Sequence, residues 1–202
     1  MIVKARQEVV LISPYFIPSE QGLGLLCALA RQGVRVSVLA NSLASTDVPV
    51  VHAGYARYRA RLLACGVKIH EFRPGALRPT RVRTGLPSGA SLHTKAVIVD
   101  RKIVLLGSMN LDPRSRQANT EVALLIESPA LGEQIGTQFL DAVAPDQAFR
   151  VELAEPGDVN APLVWIGEED GKVVRYAGEP LASWWRRLTS SLLGALAPEA
   201  LL

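Results

Sequence analysis

The first third of the chain alternates short aliphatic runs with helical stretches, and this alternation leaves few folds open. Val9-Val10-Leu11-Ile12 is an apolar run that ends at Ser13-Pro14 and reads as a buried strand. Residues 20–32 repeat their apolar positions at about 3.6 residues and stop at Gly33, the pattern of a helix with a glycine terminator. Residues 34–38 alternate as a strand, 53–64 read as a helix halted by Gly66, and 67–72 as another strand. Helical crossovers between successive strands predict an α/β fold that is largely parallel in this part. Further strands are expected at 92–99, 103–106, 121–126, 149–153, 163–166 and 172–176, with a helix over 129–143 and a short amphipathic helix at the C-terminus. The expectation is one lobe with a mixed, mostly parallel sheet flanked by helices. Residues 1–145 would form its body, and 146–202 an extension packed on the same lobe.

With 202 residues, 49% of them hydrophobic, the chain can bury a real core. Cys27 and Cys65 are too few for a disulfide scaffold or a cysteine-built zinc site. Their apolar, helix-like settings predict buried free thiols. No apolar run approaches the roughly 18 residues of a membrane span, and the N-terminus lacks the pattern of a signal peptide. A soluble or surface-bound cytoplasmic protein is expected. The net charge of +3 is unevenly spread. Residues 57–83 hold eight basic residues against Glu71 alone, whereas 151–171 hold six acids and no base. A basic face of this kind suits an anionic partner: phosphate, nucleic acid or acidic lipid.

The chemistry concentrates in Ser91-Leu92-His93-Thr94-Lys95-Ala96-Val97-Ile98-Val99-Asp100 and in Gly107-Ser108-Met109-Asn110. On a strand His93 and Lys95 share one face, while Asp100 falls on the other and reads as an anchor for backbone or a cation. Gly107 permits close backbone approach, and Ser108 and Asn110 add hydrogen-bonding groups beside it. Asn119 and Glu121 share a face of the following strand. Histidine, lysine, amide and carboxylate meeting at strand ends suit phosphodiester chemistry. An imidazole can attack phosphorus, while lysine and asparagine hold the developing charge. A carboxylate can set the imidazole tautomer. Such a reaction needs no metal and no cofactor.

The spacing H-x-K-x4-D-x6-G-S-x-N resembles the signature of the phospholipase D superfamily, a match expected by chance about once in 10⁷ start positions. Ser13-Pro14-Tyr15-Phe16-Ile17-Pro18, the stretch from Asn41 to Tyr55, Asn110-Leu111-Asp112-Pro113-Arg114-Ser115 and the tail from Trp184 are similar to segments of bacterial cardiolipin synthases of the C type, in their second half. The resemblance implies a catalytic His93, phosphate ligands Lys95 and Asn110, Ser108 near the imidazole or phosphate, and Glu121 orienting His93. Tyr15, Phe16 and Asn119 would line the substrate pocket. Asp47 and His52 lie in a segment that the resemblance marks, without an evident role, and His70 reads as structural.

The implied reaction is phosphatidyl transfer to phosphatidylglycerol, with phosphatidylethanolamine as a possible donor. It would run at an anionic membrane surface, placing the protein peripherally on the inner membrane, with the segment from Trp184 to Leu196 as a candidate for lipid contact. Family enzymes combine two such motifs, and this chain has one. That implies either a missing first half or a pair of copies about a twofold axis. A dimeric nuclease and an inactive domain that binds phosphate or anionic lipid stay open as alternatives.

Overall fold

The computed structural model describes residues 1–75 and 91–196. After a single 3₁₀ turn come β1 (Glu8–Ile12), α1 (Ser19–Arg31), β2 (Arg35–Asn41), α2 (Pro49–Ala64) and β3 (Lys68–Phe72). Then follow β4 (Ala96–Val99), β5 (Ile103–Gly107), α3 (Pro113–Gln117), β6 (Ala123–Glu127) and α4 (Pro129–Ala142). Last come β7 (Ala148–Leu153), β8 (Leu163–Glu169), β9 (Lys172–Tyr176) and α5 (Trp184–Leu196). Helix α2 starts earlier than its periodicity suggests because Pro49, with its fixed φ, opens the first turn.

All nine strands among the described residues join one sheet in the order β6-β5-β4-β1-β2-β3-β7-β8-β9. The sheet is mixed, but not mostly parallel. Only β1–β2 and β2–β3 run parallel, the two pairs bridged by α1 and α2. Every other neighbouring pair is antiparallel. The reason lies in the connections: β4 to β6 are joined by turns and a short helix, too little chain for a crossover. Strands β7 to β9 continue the same sheet on its other side.

The alternation in β1 sorts the core into two layers. Val9 and Leu11 join Val36, Val38 and Ile69 beneath Leu23 and Leu26 of α1 and Tyr55 and Leu62 of α2. Val10 and Ile12 join Leu39, Ile98 and Val104 beneath Phe139 of α4. Both faces of the central strands are covered, so β1 reads as a continuous apolar run. Each such side chain contributes about 1.5–3 kcal/mol of transfer free energy.

Cys27 and Cys65 are joined in a disulfide, not free thiols as expected. Both lie near the C-terminal ends of consecutive crossover helices, which pack side by side on one face of the sheet. The sequence separation of 38 hides that closeness.

The basic segment also differs from expectation. Arg59 is buried and pairs with Glu71 (2.9 Å) and Glu179 (2.6 Å), Arg61 with Glu20 (2.6 Å), and Arg73 with Glu169 (2.7 Å). These cations are therefore paired, one of them with the acidic stretch; Arg78, Arg81 and Arg83, like most of the predicted loop over 73–90, lie outside the described residues. Glu71, fully buried, also accepts from Tyr55 Oη (3.1 Å) and Trp165 Nε1 (2.8 Å). Together these bonds tie α2, β3, β8 and the segment before α5 into one polar knot.

Candidate active site

The site lies where the C-terminal ends of β1 and β2 meet the approach to β4 and the end of β5, at the carboxyl edge of the parallel strands. Residues 91–95 are not strand, although 92–95 were predicted to be. Side chains from the neighbouring strand ends hold them instead. The buried Asn41 amide receives Leu92 N–H at Oδ1 (3.0 Å) and donates to Leu92 O (3.3 Å), fixing the backbone one residue before His93. Ser13 Oγ plays the same part for the second half of the motif. It accepts Leu111 N–H (3.1 Å) and donates to Tyr15 O (2.6 Å), while Ile17 N–H donates to Leu111 O (2.7 Å). Sequence reasoning singled out neither Asn41 nor Ser13 as site residues. The available signal was a polar residue ending an apolar strand, which must find partners when buried.

His93 is exposed, and its Nδ1 lies 3.2 Å from Lys95 Nζ, which also donates to His93 O (2.9 Å). The two therefore do share a side, without a strand to put them there. Burial lowers the pKa of Lys95, against the opposing field of Glu121, Asp47 and Asp112. Ser108 follows Gly107, where an added Cβ would fall 2.1 Å from Val122 O; only glycine lets β5 and β6 close here. Ser108 N–H donates to Val122 O (2.9 Å), and its Oγ both accepts from Val122 N–H (3.0 Å) and donates to Glu121. Glu121 also accepts from Asn119 Nδ2 (3.3 Å), and the hydrogen bond from Ser108 holds its carboxyl below the ordinary range. Both residues precede β6 instead of lying on it. The hydrogen bonds described for Glu121 thus join it to Ser108, Asn119 and Ser115, and none is described to His93, where the resemblance implied one. Asn110 Oδ1 is buried without a partner among the described residues.

The remaining candidates separate. Tyr15 is half-buried, and its hydroxyl donates to Asp47 Oδ1 (2.7 Å); burial first, then that bond, raises its pKa. Phe16 does not line the site: it is 2% exposed and packs edge-on against Tyr55. Asp100 sits at the far end of β4 and acts on backbone. It accepts N–H from Arg6 (2.9 Å), Gln7 (2.7 Å) and Glu8 (2.9 Å). His52 Nε2 lies 3.3 Å from Glu179, and half-buried His70 packs against Phe139, where burial lowers its pKa to about 4. Neither histidine belongs to the site.

Residues 1–142 match the family described as cardiolipin synthase, PLD-like domain, and the chain belongs to that family. Its relatives include cardiolipin synthase C of Escherichia coli, 39% identical over 196 residues, and cardiolipin synthase A of Edwardsiella ictaluri, 32% identical over 155 residues. These alignments take in 95% and 77% of this chain but 40% and 27% of the relatives, so the chain spans less than half the length of either. Among solved structures, the phospholipase D family member Nuc from Salmonella typhimurium superposes with a TM-score of 0.57 at 19% identity, over 74% of this chain and 84% of that one. Phosphatidylserine synthase of Haemophilus influenzae gives 0.53 at 18% identity, over 74% and 34%. At these identities the structures show a shared fold. No described helix is long and apolar enough to cross a membrane.

Proposed function

We propose that the chain is one catalytic half of a phosphatidyltransferase that forms cardiolipin from phosphatidylglycerol and a donor phospholipid. The observation that carries this reading is the contact of His93 with Lys95, in a chain of the cardiolipin synthase family. Lys95 and Asn110 hold the phosphoryl oxygens of a phosphodiester. Once phosphate draws the ammonium away from Nδ1, the imidazole takes the tautomer with its lone pair on Nε2. Nε2 attacks phosphorus, the N–P bond forms, and the bond to the headgroup oxygen breaks. The departing alkoxide takes a proton from a second histidine, supplied by a second motif-bearing half. The hydroxyl of phosphatidylglycerol then returns that proton as it displaces His93 from phosphorus. His52 and His70 are committed elsewhere, so the second histidine comes from outside this lobe, either a preceding lobe or a twofold mate.

The nuclease alternative needs a free cationic groove for a polymer, and the pairing of Arg59, Arg61 and Arg73 weighs against it. Trp184 and Trp185, 71% and 58% exposed on α5, support peripheral contact with lipid. Disulfides such as Cys27–Cys65 are rare in reducing compartments, and this one weighs against a cytoplasmic position. The test supplies phosphatidylglycerol and phosphatidylethanolamine to the protein together with its second half and follows cardiolipin by mass spectrometry. Acid-labile radiolabelled phosphate on the chain, lost in His93→Ala, is the expected result. Plasmid cleavage without lipid turnover would overturn it.

A further inference from the structure

We propose that Asp47 and Tyr15 form a headgroup subsite, which takes the hydroxyl- or ammonium-bearing alcohol esterified to the phosphate held at Lys95. The inference rests on the phosphate-site reading above and adds which part of the substrate is recognised, and by what.

Asp47 belongs to the loop between β2 and α2, and this loop is held from behind. The Arg186 guanidinium of α5 donates to the carbonyls of Leu43 (3.2 Å), Ala44 (2.7 Å) and Thr46 (2.6 Å). Ser42, Ser45 and Thr46 are buried in the same turn, with Ser45 Oγ donating to Asn41 Oδ1 (3.0 Å), the amide that positions the backbone before His93. The loop is therefore built on the same support as the motif. From it the Asp47 side chain emerges into solvent and takes the Tyr15 hydroxyl at 2.7 Å. Tyr15 in turn stands on the segment stitched to Leu111, the neighbour of Asn110. The carboxylate is thus on the phosphate side of the molecule, near enough for its field to act on Lys95.

A carboxylate there does not hold phosphate; it repels it. A carboxylate offers about four acceptor positions, and Tyr15 uses one. What the remainder suits is a donor carried by the substrate next to its phosphate: the hydroxyls of glycerol or the ammonium of ethanolamine. The same charge disfavours an alcohol that carries an anionic group of its own.

The two headgroup sources and the proposal itself separate in one titration. The full chain is titrated with dibutyryl phosphatidylglycerol, phosphatidylethanolamine and phosphatidylmethanol, followed by NMR. The methyl ester has phosphate and acyl chains but no headgroup donor. We expect the first two to bind about fivefold or more tighter than the third, as hydrogen bonds to a charged acceptor imply. Asp47→Asn removes most of that preference, more for ethanolamine, which loses its counter-charge, than for glycerol. Asp47→Glu restores it in part, and Tyr15→Phe, which keeps the charge, retains more of it than Asp47→Asn. If Asp47→Asn does not fold by thermal melting, the Glu and Phe variants carry the comparison. A preference absent in the wild type, or undiminished in Asp47→Asn, overturns the subsite while leaving the phosphate site standing. If phosphatidylmethanol does not bind either, the phosphate-site reading fails and the subsite falls with it.

Discussion

The two ends of β4 carry the same sequence motif and do opposite work. At the start, His93 is exposed, burial disfavours the charge of Lys95, and the amide oxygen of Asn110, three residues past the end of β5, has no described partner. At the finish, Asp100 is saturated. Its carboxylate takes three backbone amides of the segment entering β1, and its own N–H donates to Glu8 O (2.9 Å). Asp100 and Arg101 both have φ near +52°, a conformation that aspartate tolerates better than most residues. Helix α4 then closes over the turn, and Gly132 sits where a Cβ would come within 2.3 Å of Arg101 O. Polar groups left short of partners at one end and fully matched at the other separate a place for ligands from a place for stability.

The sharpest break of this comparison is His93→Ala. Turnover in the two-half assembly should fall on the order of 10⁴-fold or more, as loss of a covalent nucleophile does. The melting temperature should stay close to wild type, because the side chain is exposed. A large loss of stability would mean that this end is structural too. Asp100→Ala should do the reverse. It strands three amides and leaves alanine in a left-handed turn, costing about 2–3 kcal/mol in urea denaturation. Turnover per folded molecule should change by less than about threefold. A smaller step is Arg186→Ala, which frees three loop carbonyls in a partly exposed setting and should cost about 1 kcal/mol. Its separate signature is a faster amide exchange over 42–48 than over β4.

The difference between the ends was partly legible. Asp100 read as a backbone anchor because a buried carboxylate needs partners, and it anchors Arg6 to Glu8, although the strand alternation that set it opposite His93 and Lys95 does not extend over 91–95. The βαβαβ opening placed the site at the strand ends, because crossovers leave few arrangements. What escaped were features decided by neighbours distant in the chain. Leu92 to Lys95 run directly into the apolar stretch of β4 and so read as its start, yet Asn41 takes both backbone groups of Leu92. Glu121 was assigned to His93 by resemblance, whereas Ser108, brought across by the β5–β6 pairing, takes its carboxylate. The arginines of α2, with Arg73 just after β3, looked like one basic face because their acids Glu20, Glu169 and Glu179 lie up to 120 residues away. The disulfide was missed for the same reason.

The smallest expected effects are in pH dependence, and there the two ends should act in different pH windows. The Asp100 carboxyl is pushed up by burial but lowered further by the amides of Glu8, Gln7 and Arg6, so its folded pKa is below the ordinary 3.8. Its contribution to stability is complete above 3.8 and lost as pH falls through the lower folded value. Asp100→Asn should therefore flatten the acid limb of a melting-temperature profile below about pH 4 and leave the alkaline limb alone. Lys95 acts at the opposite end of the pH scale, and there its lowered pKa reflects a charge that burial disfavours, not one that the fold stabilises. Burial lowers its folded pKa beneath 10.5, so between that value and 10.5 the unfolded chain binds more protons and stability rises with pH. Diester affinity needs the charged ammonium, so it should decline on the alkaline side before pH 10.5 is reached, and Lys95→Arg should move that decline upward. Because each group is only partly buried, solvent screens both effects, and they should be read as profile shapes. An acid limb that depends on Lys95, or an alkaline one that depends on Asp100, would dissolve the division of the motif between its two ends.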